Sequence, residues 1–404
     1  MYQAYSRNES FLDLIKPLAA AAGEMLRLPW PLLWPGWPVR KLAGILETFA
    51  DLTVTHARPP FGIESVTLDN CPCKVTEEAA YSTPFATLLH FRKDTVAPQP
   101  RVLLAAPMSG HFATLLRATV KTMLVDHDVY ITDWHNVRDV PLGEGRFDLG
   151  EFTGHVIKFL QVMGPGSHVV AVCQPCVPVL AAAALMAQDG DDAQPRSMTL
   201  MAGPVDTRVN PTKVNVLAVK RPIDWFERNL ISNVPFSYKG ARRRVYPGFM
   251  QLAAFLSMNL ERHLRSFDDM VEARAANDLT KIKFIQEFYE EYFAVMDLPA
   301  EFFLETVKSV FQDHLLPLGK LEVDGRLVDP RAIRRTALLT VEGERDDICG
   351  LGQTLAAQDL CSGLRQPMKQ HRVQTGVGHY GVFSGRRWNN EVYPVVRDII
   401  QMTN

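Results

Sequence analysis

Apolar and polar positions along most of this chain alternate between short strand-like runs and longer helix-like stretches. From about residue 62, three strand-like segments follow one another, IESVTL, ATLLHF and RVLLAAP, each bounded by turn residues. Beyond them the pattern predicts helices at 111–124, 152–163 and 181–187, and strands at 128–133, 169–172 and 197–201. Repeated strand–helix units predict an α/β fold with a mainly parallel, doubly wound sheet.

Residues 210 to about 320 interrupt this rhythm. The stretch contains aromatic and charged helical sequence, such as FMQLAAFLSMNLERHLRSF and KIKFIQEFYEEYFAVM, and no clear strand. The strand pattern returns at 336–341 and near 370–374, and a last helix is predicted at 391–401. We therefore predict an N-terminal helical and Trp-Pro segment at 1–60, a core in two parts at 61–209 and 326–404, and an inserted helical cap at 210–325.

The N-terminal segment combines a helical pattern at 11–26 with the run LPWPLLWPGWP, which cannot continue a helix. Trp30, Trp34 and Trp37 either brace the domain or contact an apolar surface outside it, and bracing is favoured because tryptophan is usually well buried. The stretch 12–26 contains charged side chains and lacks a basic region followed by an uninterrupted apolar one. It indicates neither a signal peptide nor a membrane span.

Composition narrows the class of protein. The formal net charge of −2 offers no basic field, and the cluster Arg242–Arg244 is isolated, so no nucleic-acid partner is expected. Six cysteines in 404 residues do not make a dense disulfide framework, which favours reduced thiols in a cytoplasmic protein. The pairs Cys71–Cys73 and Cys173–Cys176 fit zinc half-sites or redox pairs, but no further pair at finger-like spacing completes either, and no metal is expected.

Cys173 stands where an apolar run ends and a helix can begin. Residues 171–175, AVCQP, fit the strand–turn–helix frame of a nucleophile elbow, but with Ala and Pro in the places of the glycines and Cys in place of Ser. A cysteine in such a position is often only a small buried apolar residue. Cys176 fits the same frame less well, because it would fall in the first helical turn and face the core.

Two later strand ends offer partners for a nucleophile. The loop EGERDDI after 336–341 contains Asp346 and Asp347, and the loop GVGHYG after 370–374 contains His379. Nucleophile, acid and histidine in this order are typical of an α/β hydrolase. Asp346 is preferred to Asp347 because it stands two places before an apolar residue, although either could simply form an ion pair and His379 could be an ordinary turn residue.

His111, in the segment AAPMSGHF, has three interpretations. It could be a rival base, or it could begin a helix without any role in catalysis. Its place after an early strand also suits an oxyanion loop, in which backbone N–H groups of Ser109, Gly110 or His111 join that of Gln174.

Several long segments resemble one family. VCQPCVPVLAAAALMA, APMSGHFATLLRATV, DVYITDWHNVRDVP, VEGERDD and GVGHYGVFSGRRW are similar to segments of the intracellular polyhydroxyalkanoate (poly-3-hydroxybutyrate) depolymerases, and the resemblance covers nearly the whole chain. It implies an α/β-hydrolase fold and a Cys-Asp-His triad at Cys173, Asp346 and His379. AVCQP also resembles the GVCQG of polymer synthases, which again favours Cys173 over Cys176. The resemblance gives no role to Cys176.

The function implied by this resemblance is hydrolysis of amorphous poly(3-hydroxybutyrate) to 3-hydroxyacid oligomers and monomers through a thioester. It implies no cofactor, a polyester granule as partner and a cytoplasmic location at that granule, and it leaves homo-oligomerisation, side-chain length preference and polymer contact by the tryptophans open. The alternatives are a synthase-like or thioesterase acyltransferase that uses coenzyme A thioesters, and an inactive granule-coat protein.

Overall fold

The computed structural model describes residues 2–27, 37–51, 53–95, 98–258 and 260–404. Its strands are β1 Ser65–Leu68, β2 Cys71–Ser82, β3 Ala86–Lys93, β4 Arg101–Ala105, β5 Asp128–Trp134, β6 His168–Val172, β7 Ser197–Met201, β8 Ser232–Asn233, β9 Arg244–Tyr246, β10 Leu298–Pro299, β11 Glu322–Val323, β12 Arg326–Leu327, β13 Ala337–Gly343 and β14 Lys369–Gln374.

The α-helices are α1 Tyr2–Arg27, α2 Trp37–Asp51, α3 Arg117–Met123, α4 Leu149–Met163, α5 Cys176–Gln188, α6 Lys213–Lys220, α7 Ile223–Leu230, α8 Gly248–Met258, α9 Leu260–Ala276, α10 Leu279–Tyr292, α11 Ala300–Thr306, α12 Ala356–Leu360, α13 Gly385–Arg387 and α14 Tyr393–Thr403. Among the described residues, no helix combines the length and the apolar character needed to cross a membrane.

The main sheet has nine strands in the order β1-β2-β3-β5-β4-β6-β7-β13-β14. The strands from β5 to β14 pair in parallel, whereas β1, β2, β3 and β5 pair antiparallel. This is the strand order of an α/β-hydrolase fold, and the prediction of such a fold with a mainly parallel sheet is confirmed. β6, from whose end the chain turns into α5, lies between β4 and β7 near the middle of the sheet.

Helices cover the sheet on both faces. Alternate residues of β6 enter different apolar layers: Val170 and Val172 pack in the layer that includes α3 and α14, and Val169 and Ala171 in the layer that includes α4 and α5. Because both faces are buried, β6 has no polar alternation and is apolar in its last four residues. This explains why the central strands could be predicted from sequence.

Two local predictions were wrong, and the strand β2 was missed. β2 was not predicted, because much of this strand is solvent-exposed and its polar residues do not show the apolar alternation of a half-buried strand. The segment predicted to lack strands contains β8, β9 and β10, which form a separate small sheet. α5 begins at Cys176 rather than at residue 181, since Pro178 lies in the first turn, where proline costs no helical hydrogen bond.

The N-terminal helix is longer than its apolar pattern predicted. α1 packs against α2, and Arg274 of α9 forms ion pairs with Glu47 and Asp51 of α2. Trp30 and Trp34 lie outside the described residues. Trp37 begins α2, but its side chain is not among the described ones. Bracing of the domain and contact with an apolar surface outside it therefore both stay predictions.

A buried carboxyl group anchors the start of α1. The Tyr2 hydroxyl donates to Asp297 Oδ2 at 2.5 Å, and the Gly248 N–H donates to Asp297 Oδ1 at 2.8 Å. Asp297 is fully buried. Burial raises the pKa of Asp297 to about 6 despite these hydrogen bonds.

This pKa predicts a pH-dependent stability. The folded chain binds a proton that the unfolded chain releases between about pH 4 and pH 6, so the free energy of unfolding falls as pH rises through this window. The pKa difference corresponds to on the order of 3 kcal/mol. In Asp297→Asn this contribution is absent. Urea unfolding should therefore show that the free energy of unfolding of the variant rises relative to that of the wild type as pH increases from about 4 to 7. Asp268→Asn, an exposed change on α9, is the control, and a pH-independent difference between Asp297→Asn and wild type would contradict the prediction.

Candidate active site

Cys173 occupies a sharp turn between β6 and α5. Its φ is 65°, in the left-handed region that residues with a Cβ seldom adopt. The Cys173 N–H donates to the Met201 carbonyl at 2.8 Å, and the Cys176 N–H donates to the Cys173 carbonyl at 3.1 Å. A strained turn from strand to helix is the local structure of a nucleophile elbow. The Cys173 side chain is only partly buried.

The glycine that makes room for this turn comes from a neighbouring strand. Gly203 follows β7, and a Cβ placed on it would lie 2.2 Å from both Cβ and Sγ of Cys176 and 2.9 Å from the Cys173 carbonyl oxygen. Ala171 and Pro175 can therefore occupy the usual glycine positions of the motif. The sequence signal was the dipeptide Gly203-Pro204 at a strand end, but its connection with Cys173 exists only in three dimensions.

Asp346 and His379 meet at the same edge of the sheet. The His379 ring donates through Nδ1 to Asp346 Oδ2 at 2.8 Å, and both side chains are nearly inaccessible to solvent. The other carboxylate oxygen, Oδ1, accepts the N–H groups of Ile348 at 2.9 Å and Cys349 at 2.8 Å. Because a carboxylate only accepts, this contact puts the proton on Nδ1 and leaves Nε2 for another partner.

Cys173 also lies beside the His379 ring. Burial alone would lower the pKa of His379, but the neighbouring Cys173 and Asp346 raise the pKa of His379 well above its usual value. These neighbours therefore favour the charged form of the ring. The structure brings Cys173, Asp346 and His379 together, whereas the competing Asp347 is exposed to solvent.

The remaining cysteines lie in other environments. Cys176 is completely buried, its Sγ lies 3.6 Å from the carbonyl oxygens of Ala171 and Met201, and burial raises the pKa of its thiol well above the usual value. Cys71 is exposed and Cys73 buried on β2. Within the described ranges, no three His, Cys, Asp or Glu side chains form a group that could hold a metal ion.

The loop after β4 faces the elbow through a residue that the sequence did not single out. The Met108 N–H donates to Gln174 Oε1 at 3.3 Å, while the Gln174 backbone N–H has no protein acceptor in the described part of the chain. This loop also contains Ser109 and Gly110, and the Gly110 carbonyl accepts the Met296 N–H at 2.9 Å. Met108 and Gln174 thus join the two segments in which an oxyanion hole was predicted.

The surroundings of His111 do not suit a general base. Its Nε2 lies 3.1 Å from the Tyr292 carbonyl, its ring packs on Phe255 and Tyr292, and burial lowers its pKa to about 4. A backbone bridge to Val295 fastens the same residue to the segment after α10. His111 therefore connects the loop after β4 to the predicted cap.

Aromatic side chains enclose the histidine. The rings of Tyr380 and Phe383 pack edge-on against His379, and Tyr380 also packs against an apolar cluster that includes Tyr292 and Phe293 of the predicted cap. The site is thus walled by apolar groups on the side of the helical segment. Such surroundings exclude water and strengthen charge interactions.

The strand order and the elbow define the class of protein as an α/β hydrolase. Residues 202–404, half of the chain, match the family model described as the C-terminus of PHB depolymerase. The chain belongs to the PHB depolymerase family, and the protein is accordingly an ester hydrolase whose family implies a polyester substrate. No curated protein sequence matches the chain.

Solved structures similar to this chain include hydrolases of low sequence identity. The 2-hydroxy-6-oxo-6-phenylhexa-2,4-dienoate hydrolase from Rhodococcus sp. strain RHA1 is 11% identical, with 81% of this chain and 99% of that chain covered and a TM-score of 0.45. The α/β hydrolase GrgF from Penicillium sp. sh18 is 14% identical, with 82% and 99% covered and a TM-score of 0.44. A thermophilic esterase from Thermogutta terrifontis is 12% identical, with 81% and 99% covered and a TM-score of 0.41. The fold assignment rests on the strand order of the chain itself.

The contact at Gly203 predicts a selective sensitivity to one methyl group. Gly203→Ala should lower the free energy of unfolding by about 3 kcal/mol or more, because the added Cβ meets the Cys173 carbonyl and Cys176 where neither can withdraw. Gly154→Ala on α4 is the matched control, since its Cβ would meet nothing within 4 Å, and it should be neutral or slightly stabilising. Denaturant unfolding of both variants is the measurement, and equal stability of the two would contradict the packing described here.

Proposed function

We propose that Cys173 is the nucleophile of a polyester hydrolase, that His379 is its general base and acid, and that Asp346 orients His379. The observation that supports this most strongly is the His379 ring, which hydrogen-bonds Asp346 through Nδ1 and whose pKa is raised by the nearby Cys173 as well as by Asp346. A base between a nucleophile and an orienting carboxylate is the arrangement that acyl transfer requires.

The first step forms a thioester. The positively charged His379 ring stabilises negative charge on the Cys173 sulfur, and the N-terminus of α5, which begins three residues later, adds a favourable dipole. The thiolate attacks the carbonyl carbon of an ester in the polymer. His379 then gives its Nε2 proton to the departing alkoxide, which leaves as the hydroxyl end of a polymer fragment.

The second step releases the acid. His379, now neutral at Nε2, removes a proton from water, and the hydroxide attacks the thioester carbonyl while the Cys173 thiolate leaves. In both steps the Gln174 N–H stabilises the tetrahedral oxyanion, and we assign the second donor to the loop that contains Met108, Ser109, Gly110 and His111. The product is a 3-hydroxyacid oligomer or monomer, and no step uses a metal or a cofactor.

We further propose that the substrate is intracellular, amorphous poly(3-hydroxybutyrate) and that the enzyme works in the cytoplasm at the granule surface. The family membership supports a polyester, and the apolar wall formed by Tyr380, Tyr292 and Phe293 suits a chain of repeating ester and aliphatic groups. The helical segment at 210–325 is then a cap over the site, between the two parts of the core at 61–209 and 326–404 and after the N-terminal segment at 1–60.

The nucleophile can be identified by a pair of cysteine variants. Cys173→Ala should reduce the release of hydroxyacid from amorphous poly(3-hydroxybutyrate) granules by about 10³-fold or more, because no other group forms the thioester. Cys176→Ala should retain activity, since its side chain is buried away from solvent. Mass spectrometry of the soluble products gives the rates, and circular dichroism shows whether each variant is folded.

Three outcomes would contradict the proposal. Activity retained in Cys173→Ala and lost in Cys176→Ala would exchange the two cysteines. Polymer formed from hydroxybutyryl-coenzyme A would identify a synthase instead. Granule binding by the wild type without any released hydroxyacid would identify a coat protein.

The two neighbouring carboxylates offer a second test. Asp346→Asn should lower kcat by about 10²- to 10⁴-fold, because an amide no longer stabilises the charged His379 ring and can hold the wrong tautomer. Asp347→Asn changes an exposed group of the same size and should leave kcat near that of wild type. Steady-state hydrolysis of a soluble 3-hydroxybutyrate ester measures both, and equal losses in the two variants would remove Asp346 from its assigned role.

A further inference from the structure

Cys173 and Cys176 are three residues apart, with the first thiol partly accessible and the second completely buried. The proposed hydrolysis uses only Cys173. Cys173 follows a central parallel strand and Cys176 is the first residue of α5, and a Cys-x-x-Cys segment at a helix N-terminus is the setting of reversible dithiol chemistry. Cys176 therefore has no role in the proposed hydrolysis.

A backbone turn keeps the Cα atoms of the two residues close together. The Cys176 N–H donates to the Cys173 carbonyl at 3.1 Å, which closes a four-residue turn. The ends of such a turn lie less than about 7 Å apart between Cα atoms, and disulfides occur at Cα separations of about 4.4 to 6.8 Å.

The sulfur of Cys176 lies directly beneath the elbow. It is 3.6 Å from the carbonyl oxygen of Met201, the same oxygen that accepts the Cys173 N–H at 2.8 Å. The absence of a side chain at Gly203 leaves the space that this sulfur occupies. To reach Cys173, Cys176 turns about its Cα–Cβ bond, away from the carbonyl groups of Ala171 and Met201.

We propose that Cys176 is a resolving cysteine, which forms a reversible disulfide with Cys173 after a hydroperoxide has oxidised the Cys173 sulfur. The site is then a modification site as well as a catalytic one. The effect on activity rests on the proposed function of Cys173, whereas the disulfide itself does not.

The chemistry balances with a hydroperoxide as oxidant. The Cys173 thiolate attacks one oxygen of the hydroperoxide, the O–O bond breaks, and the alkoxide or hydroxide takes a proton from His379 to leave as alcohol or water. The Cys176 sulfur then attacks the sulfur of the Cys173 sulfenic acid, and the S–O bond breaks with loss of water that includes the Cys176 proton. Two thiols lose two electrons to the hydroperoxide, and a dithiol reductant restores both thiols by exchange.

The disulfide protects the nucleophile. Without a resolving thiol, a sulfenic acid proceeds to sulfinic acid, which dithiols do not reduce. Cys349, the other buried thiol close to this site, is held by contacts at 3.6 Å with Gln353 Oε1 and 3.7 Å with Thr354 Oγ1, and it lies outside the turn. It therefore provides the matched control.

The test oxidises wild type, Cys176→Ser and Cys349→Ser with hydrogen peroxide and compares them before and after dithiothreitol. Serine at 176 can donate to the carbonyl groups of Ala171 and Met201, which suits it to the buried position. Wild type and Cys349→Ser should lose about 2 Da, give a linked peptide that contains Cys173 and Cys176, and recover full ester hydrolysis on reduction. Cys176→Ser should gain about 32 Da at Cys173 and recover less than about a tenth of its activity.

A wild type that gains about 32 Da at Cys173 and shows no Cys173–Cys176 link would overturn the proposal, as would a link from Cys173 to Cys349. These readings come from the wild type, so they do not depend on the folding of a variant. If Cys173 proves not to be the nucleophile, the linked peptide can still form while activity persists, which separates the two failures.

Discussion

The turn after β6 has to fit a strand end, a helix start and the end of the next strand into one place. Cys173 adopts a φ of 65° there, a conformation that costs about 1–3 kcal/mol for a residue with a side chain. Hydrogen bonds of the surrounding sheet offset this cost, because β6 is hydrogen-bonded on both sides and the Met201 carbonyl accepts the Cys173 N–H. Gly203 supplies the space. The partly buried side chain of Cys173 lies on this turn, so the site depends on the packing of these two strand ends.

The same parallel sheet explains why distant residues meet. The carboxyl ends of β6, β13 and β14 lie along one edge, so the loops that follow them bring together a thiol, a carboxylate and an imidazole. Burial and the neighbouring groups then set the pKa of His379. Burial alone would lower the pKa of a histidine, but Cys173 and Asp346 beside the ring outweigh that effect and raise the pKa of His379.

The two cysteines of one short motif also differ in burial. The left-handed turn exposes Cys173 to the site, whereas the first turn of α5 directs Cys176 into the core, where its thiol stays protonated. The family membership accounts for the α/β-hydrolase sheet. The proposed pairing with Cys176 concerns this chain's own residues.

The amino-acid sequence by itself determined where the central strands lie along the chain, because strands buried on both faces are continuous apolar runs between turn residues. It also marked Cys173, Asp346 and His379 as candidates by their positions after such strands. Only the tertiary structure decided that Asp346 rather than Asp347 reaches His379, and that His111 is tied to Tyr292. The polar strand β2, the contact between Met108 and Gln174 and the role of Gly203 were not predictable either. Each depends on which segments pack against each other, and that information lies in distances between residues far apart in the chain rather than in any local pattern.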